Sequence, residues 1–125
     1  MRRCLVIDDS QVVRKVARRI LTDAGFLVGE AVTGAEGLAI CSQEMPEIII
    51  VDSLLPDADS IDLISKLNSL NPEKPPFIIY CTHELKVAQI MRAKRAGAKG
   101  HMLKPFVRQQ VLDCFRSFDE LVEAS

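Results

Sequence analysis

The sequence lacks several things, and each absence removes a class of function. It has no excess of positive charge: 16 Lys and Arg stand against 17 Asp and Glu, for a formal net charge of −1. A duplex-DNA binder working through electrostatics is usually strongly basic, so nucleic acid is not an expected partner. No apolar run approaches the length of a membrane span, so none is expected to cross a bilayer. Met-Arg-Arg at the start mimics the charged part of a signal peptide, but Asp8 and Asp9 cut off any apolar stretch that would follow. The four cysteines, Cys4, Cys41, Cys81 and Cys114, form no Cys-x-x-Cys pair and no zinc-finger spacing with His83 or His101. Each falls in an apolar pattern, which reads as a small buried hydrophobe in a reducing compartment, the cytoplasm. There is no low-complexity segment, internal repeat or linker. No Gly-rich phosphate loop follows the first apolar run, which argues against a flavodoxin-like cofactor protein.

What is present is a chain of 125 residues, 48% hydrophobic and 26% charged, suited to one domain with a full core. It alternates two periods. Cys4 to Ile7 is a short apolar run, predicted as a buried strand. Ser10 to Ala24 then carries Val12, Val13, Val16, Ala17, Ile20 and Leu21 at helical spacing, with Ser10 as N-cap and Gly25 as stop. Phe26 to Ala31 predicts a second strand. Thr33-Gly34-Ala35-Glu36 is a capping box opening a helix to about Glu44, which Pro46 breaks. Ile48 to Val51 has no polar alternation, as expected of a strand buried on both faces of a parallel sheet. A helix over Ser60 to Leu70 follows, with Ile61, Ile64 and Leu67 on one face. Phe77 to Cys81, a helix over Glu84 to Ala96 and Gly100 to Leu103 come next. Pro105 leads into a last helix with Val107, Val111, Cys114, Phe115 and Phe118 inward. Five strand–helix units predict an α/β fold, a parallel sheet covered by helices on both faces.

Ligands of such sheets bind beyond the carboxyl ends of the strands. Strand one ends in Asp8 and Asp9, strand three in Asp52, strand four in Thr82 and strand five in Lys104. Each has an ordinary structural reading. Asp8 and Asp9 favour the positive end of a helix, Asp52 is a turn residue, Thr82 caps the helix at Glu84, and Lys104 is a solvated lysine. All of these accidents would have to coincide at one edge, so the joint reading is functional. Three carboxylates within a few ångströms repel, and without a cation at least one has a raised pKa. Magnesium suits such a place because it takes few carboxylates, several waters and phosphate oxygens. Lys104 can pair with an incoming anion, and Thr82 can donate to it. A carboxylate nucleophile, a metal and a cation around one point equip the chain for phosphoryl transfer to Asp52.

Asp8-Asp9, Asp52 with Pro56 four residues later, Thr82, and Lys104-Pro105-Phe106 together resemble the receiver domain of two-component response regulators, most closely the single-domain, CheY-like members. Cys81-Thr82-His83-Glu84 and the stretch from Ala96-Gly97-Ala98 to Lys104-Pro105-Phe106 look like CheY-like regulators of alphaproteobacteria. The resemblance spans essentially the whole chain. It implies a doubly wound, flavodoxin-like sheet of five parallel strands in order 2-1-3-4-5 with five helices, over one receiver domain at 1–125 with no output domain. It implies that Asp52 takes the phosphoryl group from a sensor histidine kinase or a histidine phosphotransferase. Asp9, Asp52 and the carbonyl of Leu54 would bind Mg2+ directly, and Asp8 through water. Lys104 and Thr82 would contact the phosphoryl group, and the Lys104–Pro105 bond is expected cis. Such a chain is not an enzyme toward other molecules: it promotes only its own phosphorylation and dephosphorylation.

The resemblance further implies output through a downstream protein docking on the helix 4–strand 5–helix 5 face, with Lys86, Ile90, Lys94, His101 and Phe106, in a monomer or weak dimer. A face of this kind is also read as merely solvated. The sequence departs from the family at several positions. His101 stands where a switch aromatic is usual, and reads equally as a plain surface histidine. Leu54 and Glu84 occupy rate-tuning positions, and an apolar Leu54 cannot orient an attacking water. Ser60 replaces a usual glycine, so a positive φ there would be strained. Chemotaxis control and a phosphorelay or phosphate sink both remain open. The alternative is a phosphorylation-independent pseudo-receiver that only binds protein, against which the full set of pocket groups argues.

Overall fold

The computed structural model describes residues 2–124. The elements alternate strictly: β1 (Arg3–Ile7), α1 (Gln11–Asp23), β2 (Leu27–Ala31), α2 (Gly34–Gln43), β3 (Ile48–Asp52), α3 (Ser60–Ser69), β4 (Phe77–Thr82), α4 (Val87–Ala96), β5 (Ala98–Leu103) and α5 (Arg108–Ala124). All strand pairs are parallel, in the order β2-β1-β3-β4-β5. The order and the five helices are those the family resemblance implied.

Burial follows position in the sheet. The central strands β3 and β4 are buried at every residue, as strands covered on both faces must be. The outermost strands are more open: β2 is buried only at Ala31, and β5 only at Ala98 and Met102. Two cores flank the sheet. One joins Ala17 and Leu21 of α1 to Val111, Phe115 and Phe118 of α5 over Val6, Ile50 and Ile79. The other joins Cys41 of α2, Leu63, Ile64 and Leu67 of α3, and Ile90 and Ala93 of α4, over Leu5, Ile49 and Ile78. Edge-to-face pairs Phe26–Phe115 and Phe77–Phe118 fasten the first layer, with ring centroids 4.9 and 5.5 Å apart.

Local signals explain the helix ends. The Ser10 hydroxyl accepts from the Val13 N–H at 3.3 Å, and Thr33 Oγ1 accepts from the Glu36 N–H at 3.1 Å. Asp59 caps α3, accepting from the amides of Ile61 and Asp62 at 2.9 and 3.0 Å. Gly25 and Gly97 follow α1 and α4 at φ 93° and 129°, the left-handed backbone that ends a helix cheaply only at glycine.

Several expectations need correction. The fourth helix starts at Val87, not Glu84, because Lys86 has extended backbone (φ −99°, ψ 100°) and the preceding residues form a turn. The fifth strand starts at Ala98, since Ala98 already pairs with Ile78. Val12 and Val16 are 72% and 40% exposed, because the inner stripe of α1 runs through Val13, Ala17, Ile20 and Leu21. Val107 is 57% exposed rather than inward: it precedes α5, and its carbonyl accepts from the Val111 N–H at 3.2 Å. Among the described residues no helix is long and apolar enough to cross a membrane.

Candidate functional site: an acidic pocket at the carboxyl edge of the sheet

The register decides which side chains meet. Ile7 pairs with Val51, so Asp8 and Asp52 leave neighbouring strands at the same level. Asp52 pairs with Cys81, and Thr82 with Leu103, which sets Thr82 and Lys104 at the same edge. The backbone N–H of Lys104 donates to the Thr82 carbonyl at 2.9 Å. The crevice lies where the chain leaves β1 in both directions, toward β2 and toward β3.

Here Asp8, Asp9 and Asp52 each offer a carboxylate oxygen, all within 4.8 Å of one another. Asp8 and Asp52 are buried, while Asp9 is exposed at the mouth. The Lys104 ammonium donates to Asp52 Oδ1 at 2.6 Å and to Asp8 Oδ2 at 3.2 Å, inside the pocket. Burial pushes the Asp52 carboxyl up, the Asp8 charge adds to this, and Lys104 and the Leu54 N–H oppose it. Burial alone would lower the Lys104 ammonium; the hydrogen bond and charge of Asp52, with the charge of Asp8, outweigh it and raise it, keeping Lys104 protonated. One ammonium thus bonds two of the three clustered carboxylates. That donor set, all hard oxygens with one exposed member, fits a small divalent cation such as Mg2+.

The remaining predicted residues have distinct settings. Thr82 does not cap α4. Its hydroxyl donates to the Glu84 carbonyl at 3.2 Å and accepts from the Glu84 N–H at 3.4 Å, within its own loop. Leu54 is 73% exposed. The Glu84 carboxylate is exposed and lies 3.6 Å from Lys86 Nζ. His101 is exposed on β5, paired in register with Tyr80. The Lys104–Pro105 bond is cis. A cleft of about 430 Å³ opens beside Asp52, with Ser53, Leu54, Tyr80, Thr82 and Arg92 among its walls.

Ser60 is not strained: among the described residues no non-glycine has positive φ, and Ser60 is the first residue of α3. Its buried hydroxyl donates to the Asp52 carbonyl at 2.5 Å, tying the helix start to the end of β3. Sequence reasoning missed this bond. It also missed Asp57, which accepts from the Gly34 and Ala35 N–H groups at 2.8 and 3.0 Å, and Arg14, which donates to the Asp8 carbonyl at 2.7 Å. These bonds join separate elements and leave no periodic trace.

The comparisons with known proteins agree with this geometry. The profile of the response regulator receiver domain matches residues 4–116. The chain is similar to a chemotaxis protein CheY of Thermotoga maritima, 32% identical over 113 residues, covering 90% of this chain and 92% of that protein. Its structure is similar to a CheY-like response regulator receiver domain protein from Methanospirillum hungatei, with a TM-score of 0.90 and 26% identity over 100% of this chain and 99% of that one. A response regulator protein from Burkholderia pseudomallei, described with a phosphorylated aspartic acid, calcium ion and citrate, superposes with a TM-score of 0.84 at 28% identity, covering 99% of this chain and 72% of that one.

Proposed function

We propose that this chain, which belongs to the response regulator receiver domain family, accepts a phosphoryl group on Asp52 and thereby switches a protein-binding surface. The observation that carries the reading is the closed set of Asp52, Asp8, Asp9 and Lys104 at one sheet edge, with Lys104 2.6 Å from Asp52 Oδ1. Receiver domains act as phosphoacceptor switches. Asp52 sits at the end of a fully buried strand, so its carboxylate is held in place before any donor arrives.

In the proposed transfer an Asp52 carboxylate oxygen attacks the phosphorus of a phosphohistidine. A P–O bond forms, the P–N bond breaks, and the imidazole nitrogen leaves with the electron pair and takes up a proton. Lys104 pairs with the oxygens of the transferred group, beside the Asp8 carboxylate that orients it. The Thr82 hydroxyl leaves its loop partner and donates to a phosphoryl oxygen. Asp9, Asp52 and the Leu54 carbonyl would hold Mg2+ directly and Asp8 through water. A bound Mg2+ supplies positive charge that offsets the carboxylates and the phosphoryl oxygens.

The donor is a sensor histidine kinase or a histidine phosphotransferase, and the reader a protein docking on α4, β5 and α5. The chain works as a cytoplasmic switch, not as an enzyme on other substrates. His101, exposed on β5, is the proposed second switch position, turning inward when Thr82 moves. Leu54 and Glu84 at the mouth set how readily water reaches the acyl phosphate.

The test is mass spectrometry after incubation with Mg2+ and acetyl phosphate. One phosphoryl group should be gained by the native chain and none by Asp52→Asn or without metal. If neither acetyl phosphate nor a cognate kinase labels the chain, the acceptor reading fails and the protein is a phosphorylation-independent binding module.

A further inference from the structure

We propose that Arg14, braced by Glu30, is a positioning residue for the cation site, because it fixes the peptide plane between Asp8 and Asp9. The proposal rests on the reading of Asp8, Asp9 and Asp52 as a Mg2+ site.

Asp8 is held at every polar atom. Its N–H donates to the Ala31 carbonyl at 3.0 Å, and its Oδ1 accepts from the Ser10 N–H at 2.9 Å. Its Oδ2 accepts from Lys104 at 3.2 Å, and its carbonyl accepts from Arg14 Nη1 at 2.7 Å. Asp9 is the opposite case: among the described residues nothing bonds its exposed carboxylate. Its direction must therefore come from the backbone. The Asp8 carbonyl belongs to the peptide unit that ends at the Asp9 Cα. That unit is planar, so a bond to its oxygen sets where Asp9 starts.

Arg14 can do this because its guanidinium is itself held. It sits on α1 with its side chain 12% exposed, and its Nε donates to Glu30 Oε1 of β2 at 3.0 Å. The other oxygen, Oε2, accepts from Arg18 Nε at 2.7 Å. Burial alone would raise the Glu30 carboxyl; Arg18 and Arg14 outweigh it and lower it, so the brace is charged at neutral pH. One planar fork thus links helix, edge strand and loop. A lysine carries its three donors on a single nitrogen and cannot reproduce the fixed, planar spacing between Nε and Nη1. Groups that orient metal ligands from outside typically change metal affinity by ~10–100-fold when removed.

The experiment titrates the full chain with Mg2+ alone and follows backbone amide shifts by NMR. Acetyl phosphate labelling is then measured against Mg2+ concentration. Native protein should bind Mg2+, and Asp9→Asn should lose binding. Arg14→Met, which keeps the apolar stem, should bind about tenfold or more weakly. Its labelling should need correspondingly more Mg2+ yet reach the native level at saturation. Arg14→Lys and Glu30→Gln should fall between, and they carry the test if Arg14→Met fails to fold. A merely structural role would lower the melting temperature and leave the Mg2+ midpoint where it is; native affinity in the folded variants overturns the proposal while the metal site stands. A native chain that binds no Mg2+ overturns the metal reading first, and this inference with it.

Discussion

Asp52 is held in an environment that opposes its charge. Burial raises its carboxyl, and the nearby Asp8 adds to that. For an acid this has a definite sign. The folded protein holds the proton more tightly than the unfolded chain, so stability falls as pH rises through the window from the unfolded pKa, about 3.9, up to the folded one. The deficit is complete once the pH lies above the folded value. In metal-free buffer at pH 7, Asp52→Asn should therefore melt higher than the native chain, by roughly 3 °C or more. The difference should shrink below about pH 4, where the native carboxyl is protonated in both states. Lys104 still has Asp8 at 3.2 Å in this variant, so the ammonium is not orphaned. A thermal scan at both pH values checks it; a lower melting point at pH 7 would show that the Lys104 pair outweighs desolvation. A second residue shows strict backbone demand. Gly97 has φ 129°, and an added Cβ would lie 2.5 Å from Asn68 Cγ. Gly97→Ala combines backbone strain with overpacking and should cost about 2 kcal/mol or more in urea unfolding. The site residues were legible because they are the polar residues that directly follow or end apolar runs. Arg14 and Ser60 were not, because their partners, the Asp8 and Asp52 carbonyls and the Glu30 carboxylate, lie outside their own helices.

At the scale of elements, α2 has two caps of different origin. Thr33 is local and readable from Thr-x-x-Glu. Asp57 arrives from the β3–α3 loop, 23 residues from Gly34 along the chain, and accepts from the first two helix amides. Those two bonds hold the Asp57 carboxyl below the usual carboxylate range. The sign is the reverse of that for Asp52. The stabilisation is present above the unfolded pKa, about 3.9, and is lost as pH falls through the lower folded value. Asp57→Asn should lower the melting temperature at pH 6 and quicken amide exchange at Gly34 and Ala35. The gap from the native protein should close as the pH approaches 3. A gap that persists unchanged in acid would mean that shape, not charge, makes the cap. Periodicity found all ten elements but blurred some of their edges. In α1 the valines at 12, 13 and 16 look equivalent in sequence, yet only Val13 packs inward. Packing of α1 against β1, β2 and the α5 side of the core selects among them, through contacts the local pattern does not contain. The start of α4 was misread for a related reason: Glu84 to Lys86 are good helix formers, but the strand exit from Thr82 must turn first.

For the whole molecule, alternation of strand and helix already implied a parallel sheet, whereas the order 2-1-3-4-5 came from the family resemblance. No local signal encodes which neighbour a strand chooses. That order creates the crevice between β1 and β3, and it concentrates negative charge at one end of the sheet. The site should consequently couple to global stability. A cation held by Asp9 and Asp52 binds the folded state, which brings the three carboxylates within 4.8 Å, and not the unfolded chain, which scatters them. Mg2+ should then raise the melting temperature with concentration, adding about 2.7 kcal/mol at a hundredfold excess over its Kd. EDTA should reverse the shift, and Asp9→Asn should abolish it while leaving a folded protein, because Asp9 is exposed and carries no internal bond among the described residues. The increment should also fall in acid as the raised Asp52 carboxyl takes up its proton, since a neutral carboxyl is a poor ligand for a hard cation. Scanning calorimetry across Mg2+ concentration at pH 7 and pH 4 measures all three. A native melting point indifferent to Mg2+ at pH 7 would mean that Lys104 alone balances the pocket, and the carboxylate cluster would lose its claim to be a cation site.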